Sequence, residues 1–197
     1  MSQDLLLALV AFAFVTTGTP GPNNLMLLAS GVNFGLRRSL PHVAGVTLGV
    51  VFMVLALGAG LAESVARLPQ AGLALKVLSL GYMLWLAWRI ATAAAPDAGE
   101  GGSRPLTFLQ AAAFQWVNPK AWVMALTALG AYALGDRGAG VPAVASAFLL
   151  VGPPCNLLWV AAGGRLRRLV SNPTARRRLN LALAALLLAT LWPMLRG

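Results

Sequence analysis

The chain has 197 residues, of which 58% are hydrophobic and only 10% are charged. So few polar side chains cannot cover a soluble globule of this length, and the composition therefore excludes a water-soluble domain and indicates a membrane protein. Lys and Arg number 15 against 5 Asp and Glu, which gives a formal net charge of +10. In a soluble protein that charge would suggest nucleic acid as a partner. Here the basic residues lie mainly between apolar stretches, and we expect no nucleic-acid binding.

Long apolar stretches predict an all-α polytopic membrane protein with about six transmembrane helices, since roughly 20 helical residues cross about 30 Å of hydrocarbon. The predicted spans lie near residues 5–31, 40–62, 72–94, 106–134, 141–163 and 179–195. The first and fourth are longer than one crossing requires, as expected for broken helices made of two half-helices with a loop between them. The sixth is short.

The first span contains a run of helix-breaking residues from Thr19 to Asn24. Proline removes an amide donor and clashes with the preceding turn, and the residue before a proline is pushed out of helical geometry. We therefore expect Thr19 and Gly21 to be non-helical. The N–H groups of the restarting helix suit a carboxylate, and the carbonyls before the break suit an ammonium group. The candidate substrate-binding residues here are Pro20, Gly21, Pro22, Asn23 and Asn24.

The fourth span has a similar interruption at Asn118, Pro119 and Lys120, which are also substrate-binding candidates. Backbone released from helical hydrogen bonds is very costly in hydrocarbon unless it lines a cavity or is buried in protein. A pair of such breaks, one in each half of a membrane protein, points to a transporter's binding site. The alternative is a pair of proline kinks satisfied by neighbouring helices. Because both breaks carry Asn and the second also carries Lys, we favour a site.

A polar stretch at residues 95–104 divides the chain into two halves of three spans, residues 1–94 and 105–197. We expect a single membrane domain, 1–197, in which the stretch is a cytoplasmic linker. An odd number of spans in each half forces the second half to insert with the opposite orientation. This predicts a 3+3 inverted repeat, an arrangement found in many secondary transporters.

Basic residues predict the orientation of the chain, because cytoplasmic loops carry an excess of Lys and Arg. One side of the six-span arrangement holds Arg37, Arg38, Arg89, Arg104, Arg165, Arg167, Arg168, Arg176, Arg177 and Arg178. The other side holds Arg67, Lys76, Arg137 and Arg196. We therefore expect the first side to be cytoplasmic and both termini to be periplasmic. The basic loop at residues 165–178 determines topology or, alternatively, contacts anionic lipid headgroups.

Two ionisable side chains are candidates for proton coupling. Lys120 is the only basic residue that we place deep in a span, and an intramembrane ionisable group is a functional hypothesis by default. It either pairs with a substrate carboxylate or changes protonation during transport; alternatively it snorkels to an interface or holds an adjacent carbonyl. His42 lies at the cytoplasmic start of the second span and is the sole side chain with an unperturbed pKa near neutrality. The alternative for His42 is a solvated interfacial position.

The acidic residues indicate the charge of the substrate. All of them lie at span ends or in loops, namely Asp4, Glu63, Asp97, Glu100 and Asp136. No carboxylate is therefore expected near mid-membrane to pair with a cationic substrate side chain, which favours a neutral substrate. In the fifth span, an irregular spot is expected at residues 152–156, and its Asn156 is a further substrate-binding candidate. We expect no metal site and no cofactor.

A membrane-embedded enzyme and a non-transporting membrane scaffold are the alternative functions. An enzyme needs a constellation of reactive groups, and one histidine, one cysteine and no intramembrane carboxylate do not form one. A scaffold would have no use for two costly helix breaks. We therefore expect a transporter and not an enzyme.

These motifs resemble those of the LysE/RhtB family of bacterial amino-acid exporters. The resemblance rests on the run 19–24, on Gly35 and Arg37, on Gly45 and Gly49, and on residues 81–82, 84–89 and 117–121. Within the family, the chain is most similar to exporters of cysteine and O-acetylserine. That similarity is judged by the first break, the stretch from Trp85 to Thr92, and Asn156.

The resemblance implies export from the bacterial cytoplasm, driven by the proton gradient, with the two breaks as the substrate site. We expect small neutral amino acids or their derivatives as substrates, of the cysteine, O-acetylserine, homoserine or threonine type. The protein is then a multi-pass protein of the inner membrane whose partners are substrate, protons and lipid, with a homo-oligomer left open. Many members carry an acidic residue shortly after the position of Gly49, where this chain has Val50.

Overall fold

A computed structural model describes residues 1–68, 70–93, 104–133, 135, 137–169 and 172–192. Every regular element among these described residues is a helix, which confirms the expectation of an all-α protein. The predicted linker at 95–104 lies outside the described residues except for Arg104.

The helices follow the apolar stretches in chain order. Their bounds are α1 Gln3–Gly18, α2 Pro22–Ala56, α3 Ala62–Ala66, α4 Ala71–Ala91, α5 Phe108–Phe114, α6 Pro119–Tyr132, α7 Arg137–Leu169 and α8 Pro173–Ala189. A π-helical turn at Leu57–Leu61 joins α2 to α3, and a 3-10 turn at Gln115–Val117 follows α5. Thr107 and Gln110 form a capping box at the start of α5, which satisfies backbone donors that a helix start leaves free.

The first two predicted spans are joined without a loop. Residues 32–39, which separate those spans in the sequence analysis, belong to α2, and only Gly35 departs from helical geometry, with φ 75° and ψ 178°. Glycine adopts this positive φ at no steric cost because it has no Cβ. One turn later, the Ser39 hydroxyl donates to the Gly35 carbonyl at 2.8 Å. The chain therefore turns at one residue and continues as helix.

Three helical segments among the described residues are long and apolar enough to cross a membrane: 22–65, 71–91 and 138–169. The α1 helix is apolar but has 16 residues. Large apolar side chains are exposed on the outer faces, such as Leu7 at 64%, Leu109 at 75% and Leu150 at 73%. Helix surfaces that face lipid have this character. The chain is an integral membrane protein, and the count of six spans stays a prediction.

The long helices α2 and α7 form the centre of the bundle, and α4 packs against α8. Glycines let the α2 and α7 backbones meet: a Cβ on Gly31 would collide with the Val160 carbonyl oxygen, and one on Gly163 would collide with the Leu28 carbonyl oxygen. Small residues permit this close approach in lipid, where helices have no hydrophobic drive to associate. The α2–α7 contact therefore depends on the absence of side chains at these two positions.

The irregular spot expected in the fifth span is not observed. α7 continues through Pro153 and Pro154 as regular helix. Transmembrane helices tolerate an interior proline when neighbouring groups support the freed backbone, and α2 packs closely here. A Cβ on Gly152 would lie 3.2 Å from the Thr47 Cγ2. Cys155 is buried, with 3% of its surface exposed, and is a packing residue.

Candidate functional site

The two interruptions of the helices lie next to each other. Thr19 is extended, with φ −67° and ψ 144°, and so are Gly21, with φ −176° and ψ −178°, and Asn118, with φ −93° and ψ 108°. Lys120 joins the two segments, because its Nζ donates to the Thr19 carbonyl at 2.6 Å and to the Thr19 hydroxyl at 3.0 Å. A weaker contact reaches the Pro20 carbonyl at 3.5 Å. One ammonium group thus connects the end of α1 to the start of α6.

Other donors cover the carbonyls at the end of α1. The side-chain amide of Asn24 donates to the Thr17 carbonyl at 2.8 Å and to the Thr19 carbonyl at 3.0 Å. The Trp159 indole donates to the Gly18 carbonyl at 3.2 Å. A carbonyl oxygen has two lone pairs, and the Thr19 carbonyl already accepts from both Lys120 and Asn24. The break is therefore stabilised by its neighbours, and a further donor at the Thr19 carbonyl has to replace one of these two.

The two restarting helices differ at their first turns. The Asn118 side chain accepts from the Lys120 N–H at 3.2 Å and so caps α6. Gly21, the N-cap of α2, has no side chain, and no side-chain cap is present there. The expectation of free N–H groups after both breaks is therefore wrong for the Lys120 N–H of α6, because Asn118 satisfies that donor. At α2, a Cβ on Gly21 would lie 3.1 Å from the Lys120 Nζ, so a cation lies beside this uncapped helix start.

Asn23 is paired with a side chain that the sequence analysis did not single out. Its amide donates to the Gln115 Oε1 at 2.9 Å and accepts from the Gln115 Nε2 at 3.1 Å. Gln115 is fully buried, with 0% exposure. A reciprocal pair of this kind fixes both amides, so Asn23 holds α2 against the segment before the second break.

These groups border a small cavity, in which the space that water can occupy is about 30 Å³. Among the predicted substrate-binding residues, it is lined by Asn23, Asn24, Asn118, Lys120 and Asn156. The remaining predicted residues shape the adjacent backbone turns and are not in its lining, namely Pro20, Gly21, Pro22 and Pro119. Within the described part of the chain, Lys120 is the one charged residue in that lining, and no carboxylate accompanies it.

Several lining residues were missed by the sequence analysis: Thr16, Thr17, Val46, Thr47, Val50, Met124, Phe148 and Gly152. The Thr17 hydroxyl is buried and has no hydrogen-bond partner among the described residues. The Thr47 hydroxyl accepts from the Asn156 amide at 3.1 Å. Both threonines are polar side chains inside predicted apolar spans, and the sequence analysis could have named them as site candidates for that reason. Val50 makes its part of the wall apolar.

His42 does not lie at this cavity. It is 5 residues before Thr47 on α2, about 7.5 Å along a helix axis, and only 1% of its surface is exposed. The alternative of a solvated histidine is therefore wrong, because neighbouring helices and the chain near Arg104 enclose the ring. Neither ring nitrogen has a hydrogen-bond partner in the ranges that the structure covers.

The fold and the cavity define a class of protein: an α-helical integral membrane protein with a small polar chamber between non-helical backbone turns. This is the architecture of a solute translocator. The comparison with protein families identifies the group. The chain belongs to the LysE type translocator family, whose model matches residues 14–191, and the resemblance seen in the motifs is confirmed.

Curated relatives are similar over nearly the whole chain. The Cysteine/O-acetylserine efflux protein of Escherichia coli O139:H28 is 35% identical over 191 residues, which cover 95% of this chain and 96% of the relative. Proteins of the same name from Escherichia coli K12 and Shigella sonnei are each 35% identical over 190 residues, with 95% of both chains covered. No solved structure matches the chain significantly.

Proposed function

We propose that the protein exports small neutral amino acids or their derivatives from the bacterial cytoplasm by proton antiport. The substrates are of the cysteine, O-acetylserine, homoserine or threonine type. The observation that carries the proposal is the cavity beside the two breaks, which is lined by Lys120, by Thr17 near the end of α1, and by Asn23 and Asn24 in the uncapped first turn of α2. The names of the relatives, which are efflux proteins for cysteine and O-acetylserine, support the same substrate class.

The cavity's charge suits a neutral amino acid. A substrate with a cationic side chain would need a carboxylate partner, since an unpaired buried charge is very costly. Among the described residues, the lining offers none, and this supports a zwitterion with an uncharged side chain.

The substrate carboxylate binds at the first turn of α2. Helix N-termini present N–H groups and partial positive charge to anions, and the start of α2 has no side-chain cap to compete for them. Asn23 and Asn24, the first residues of that turn with an N–H group, line the cavity. α6 is the poorer choice, because Asn118 already occupies the Lys120 N–H.

The substrate ammonium group binds at the end of α1, where Lys120 now donates. Its acceptors are the Thr19 carbonyl, held by Lys120 at 2.6 Å, and the Thr17 hydroxyl. Two ammonium groups cannot occupy one cluster of acceptors without strong repulsion. Substrate and protonated Lys120 therefore compete for the end of α1.

This competition provides a scheme for antiport. Substrate that enters from the cytoplasm displaces the Lys120 ammonium group, which loses its proton. A proton that arrives from the periplasm restores the ammonium group and expels the substrate. A transporter that holds either the proton or the substrate, but not both, exchanges one for the other. Lys120 is thus the first candidate for the proton-binding group and His42 is the second.

The same proposal includes the architecture of alternating access. The first and fourth spans are broken helices, at 19–24 and 118–120, and the halves 1–94 and 105–197 form a 3+3 inverted repeat around the cavity. The termini are periplasmic and the protein lies in the inner membrane. Tags at each terminus, tested for accessibility from the periplasm, check the orientation; cytoplasmic termini would contradict it together with the inverted repeat.

Proteoliposomes loaded with radiolabelled cysteine, O-acetylserine, homoserine or threonine test the function. An inward proton gradient imposed on the vesicles should accelerate release of at least one of these compounds, and a protonophore should abolish the acceleration. Two controls are needed. Loaded liposomes without the protein measure passive leakage, and proteoliposomes loaded with lysine test a substrate that has a cationic side chain. Absence of gradient-dependent release for all four compounds would refute the proposal.

A further inference from the structure

A second small cavity, in which the space that water can occupy is about 50 Å³, lies next to the first along α2. Met26 in its lining follows Asn24 by 2 residues, about 3 Å along a helix axis. Its polar lining comprises Ser30, Asn33, His42, Arg89 and Arg104. The predicted topology puts both arginines on the cytoplasmic side, so this cavity lies between the cytoplasm and the cavity at the breaks.

Two of these polar groups are satisfied by protein partners. The Asn33 and Asn180 side chains exchange hydrogen bonds at 2.9 and 3.0 Å, and the Ser30 and Ser39 hydroxyls are 2.8 Å apart. His42 is different, since neither of its ring nitrogens has a partner among the described residues although the ring is buried. A buried polar group without a partner costs free energy, so this ring is available to a ligand.

Arg89 is held rigidly at the same cavity. Its Nη2 donates to the Arg104 carbonyl at 2.7 Å, and its guanidinium lies 5.1 Å from the centre of the Trp85 ring. A guanidinium has five N–H donors in a fixed fork, so most of its donors remain for a second partner. Among the described residues, no acidic side chain lines this cavity. A positioned guanidinium without a carboxylate is suited to an anion.

We propose that this second cavity is a loading site for the carboxylate of the exported amino acid. The inference deepens the proposed export function and rests on it. The Arg89 guanidinium binds the carboxylate in its fork, and His42 offers a ring nitrogen to the bound molecule. The substrate then moves along α2 to the first turn of that helix, where its carboxylate exchanges Arg89 for backbone N–H groups.

The single histidine of the chain makes the test direct. The full-length protein, labelled with ¹⁵N-histidine and kept in detergent micelles, gives one pair of ring signals in an NMR spectrum, from His42. We expect L-cysteine to shift these signals in a saturable way. Cysteamine, which is cysteine without its carboxylate, should not shift them at the same concentrations.

Variants separate this cavity from the one at the breaks. Arg89→Gln should raise the cysteine concentration for half-maximal shift at least tenfold, and Arg89→Lys, which keeps the charge and a donor for the Arg104 carbonyl, should raise it less. Arg168→Gln, an exposed arginine on α7, should leave it unchanged. Lys120→Met should preserve the cysteine-dependent shift of His42.

Each result decides the inference. Equal shifts with cysteamine, no shift with saturating cysteine, or a shift that requires Lys120 and not Arg89 would overturn the loading site, whether or not proteoliposomes export cysteine. If Arg89→Gln fails to fold, the comparison of cysteine with cysteamine on the unmodified protein decides. An Arg89-dependent shift in a protein that exports nothing would support the carboxylate site and refute the export function.

Discussion

Replacing Lys120 with methionine distinguishes two roles for this lysine by the sign of the effect. If Lys120 competes with the substrate ammonium group, Lys120→Met tightens substrate binding. If it pairs with the carboxylate, the same change weakens binding. The end of α1 tolerates the substitution, because Asn24 still donates to the Thr19 carbonyl at 3.0 Å.

The structure gives the size of the effect. Bound substrate must displace the Lys120 bond to the Thr19 carbonyl at 2.6 Å, and a hydrogen bond to a charged group contributes about 1.5–3 kcal/mol net. We use the lower value because this contact is exposed, so the released ammonium group recovers hydration. About 1.5 kcal/mol corresponds to roughly a tenfold lower Kd in Lys120→Met.

Equilibrium binding of radiolabelled cysteine to purified protein measures this Kd. In the unmodified protein the affinity should fall as pH is lowered, because protons and substrate compete; in Lys120→Met the dependence should vanish, and an imposed pH gradient should no longer drive release. Lys76→Met, at the only other lysine, should match the unmodified protein within twofold. A Kd raised tenfold in Lys120→Met would refute the competition and assign the carboxylate to Lys120.

Three further experiments test the architecture around the site. Asn24→Ala should lower the free energy of unfolding in micelles by about 1–3 kcal/mol, because it removes the donor 2.8 Å from the Thr17 carbonyl. Gly31→Ala should reduce the yield of folded protein, since its Cβ would meet α7 backbone. A double-mutant cycle of Asn23→Ala and Gln115→Ala should give a coupling of about 0.6–1.7 kcal/mol, which lies between the average and the largest coupling measured for polar pairs in a membrane protein.

Controls for these three are available in the same chain. Gly81→Ala adds a Cβ that meets no atom within 4 Å, so its yield of folded protein should equal that of the unmodified protein. If Gly81→Ala lowers the yield as much as Gly31→Ala does, the loss in Gly31→Ala does not come from a collision with α7. An unchanged unfolding free energy in Asn24→Ala would mean that water replaces the amide. Additive effects of the Asn23 and Gln115 changes would show that their pairing contributes nothing.

Much of the fold was predictable, because its causes are local. Apolar runs of roughly 20 residues become helices that lipid can surround, and proline constrains its own and the preceding residue. The extended geometry of Thr19, Gly21 and Asn118 follows from that rule. At Pro153 the same rule failed, since close packing of α2 keeps α7 helical there.

The contacts at the candidate site were not predictable from spacing. Asn23 and Gln115 are 92 residues apart, and Thr47 and Asn156 are 109 apart. A sequence identifies such side chains as polar residues in apolar surroundings, but it does not say which of them pair. The candidate asparagines line a cavity, but their role in substrate binding stays a prediction, and the sequence did not predict their hydrogen-bond partners.

The sequence by itself determined a helical membrane protein of an exporter family with two interruptions rich in proline and asparagine, because hydrophobicity and proline geometry act within a few residues. Only the tertiary structure decided that Lys120 holds the Thr19 carbonyl, that Asn118 caps α6 while α2 starts uncapped, and that His42 is buried beside Arg89. These outcomes depend on how α2 packs against α7 and its other neighbours, and that packing brings together groups that are about a hundred residues apart in the chain.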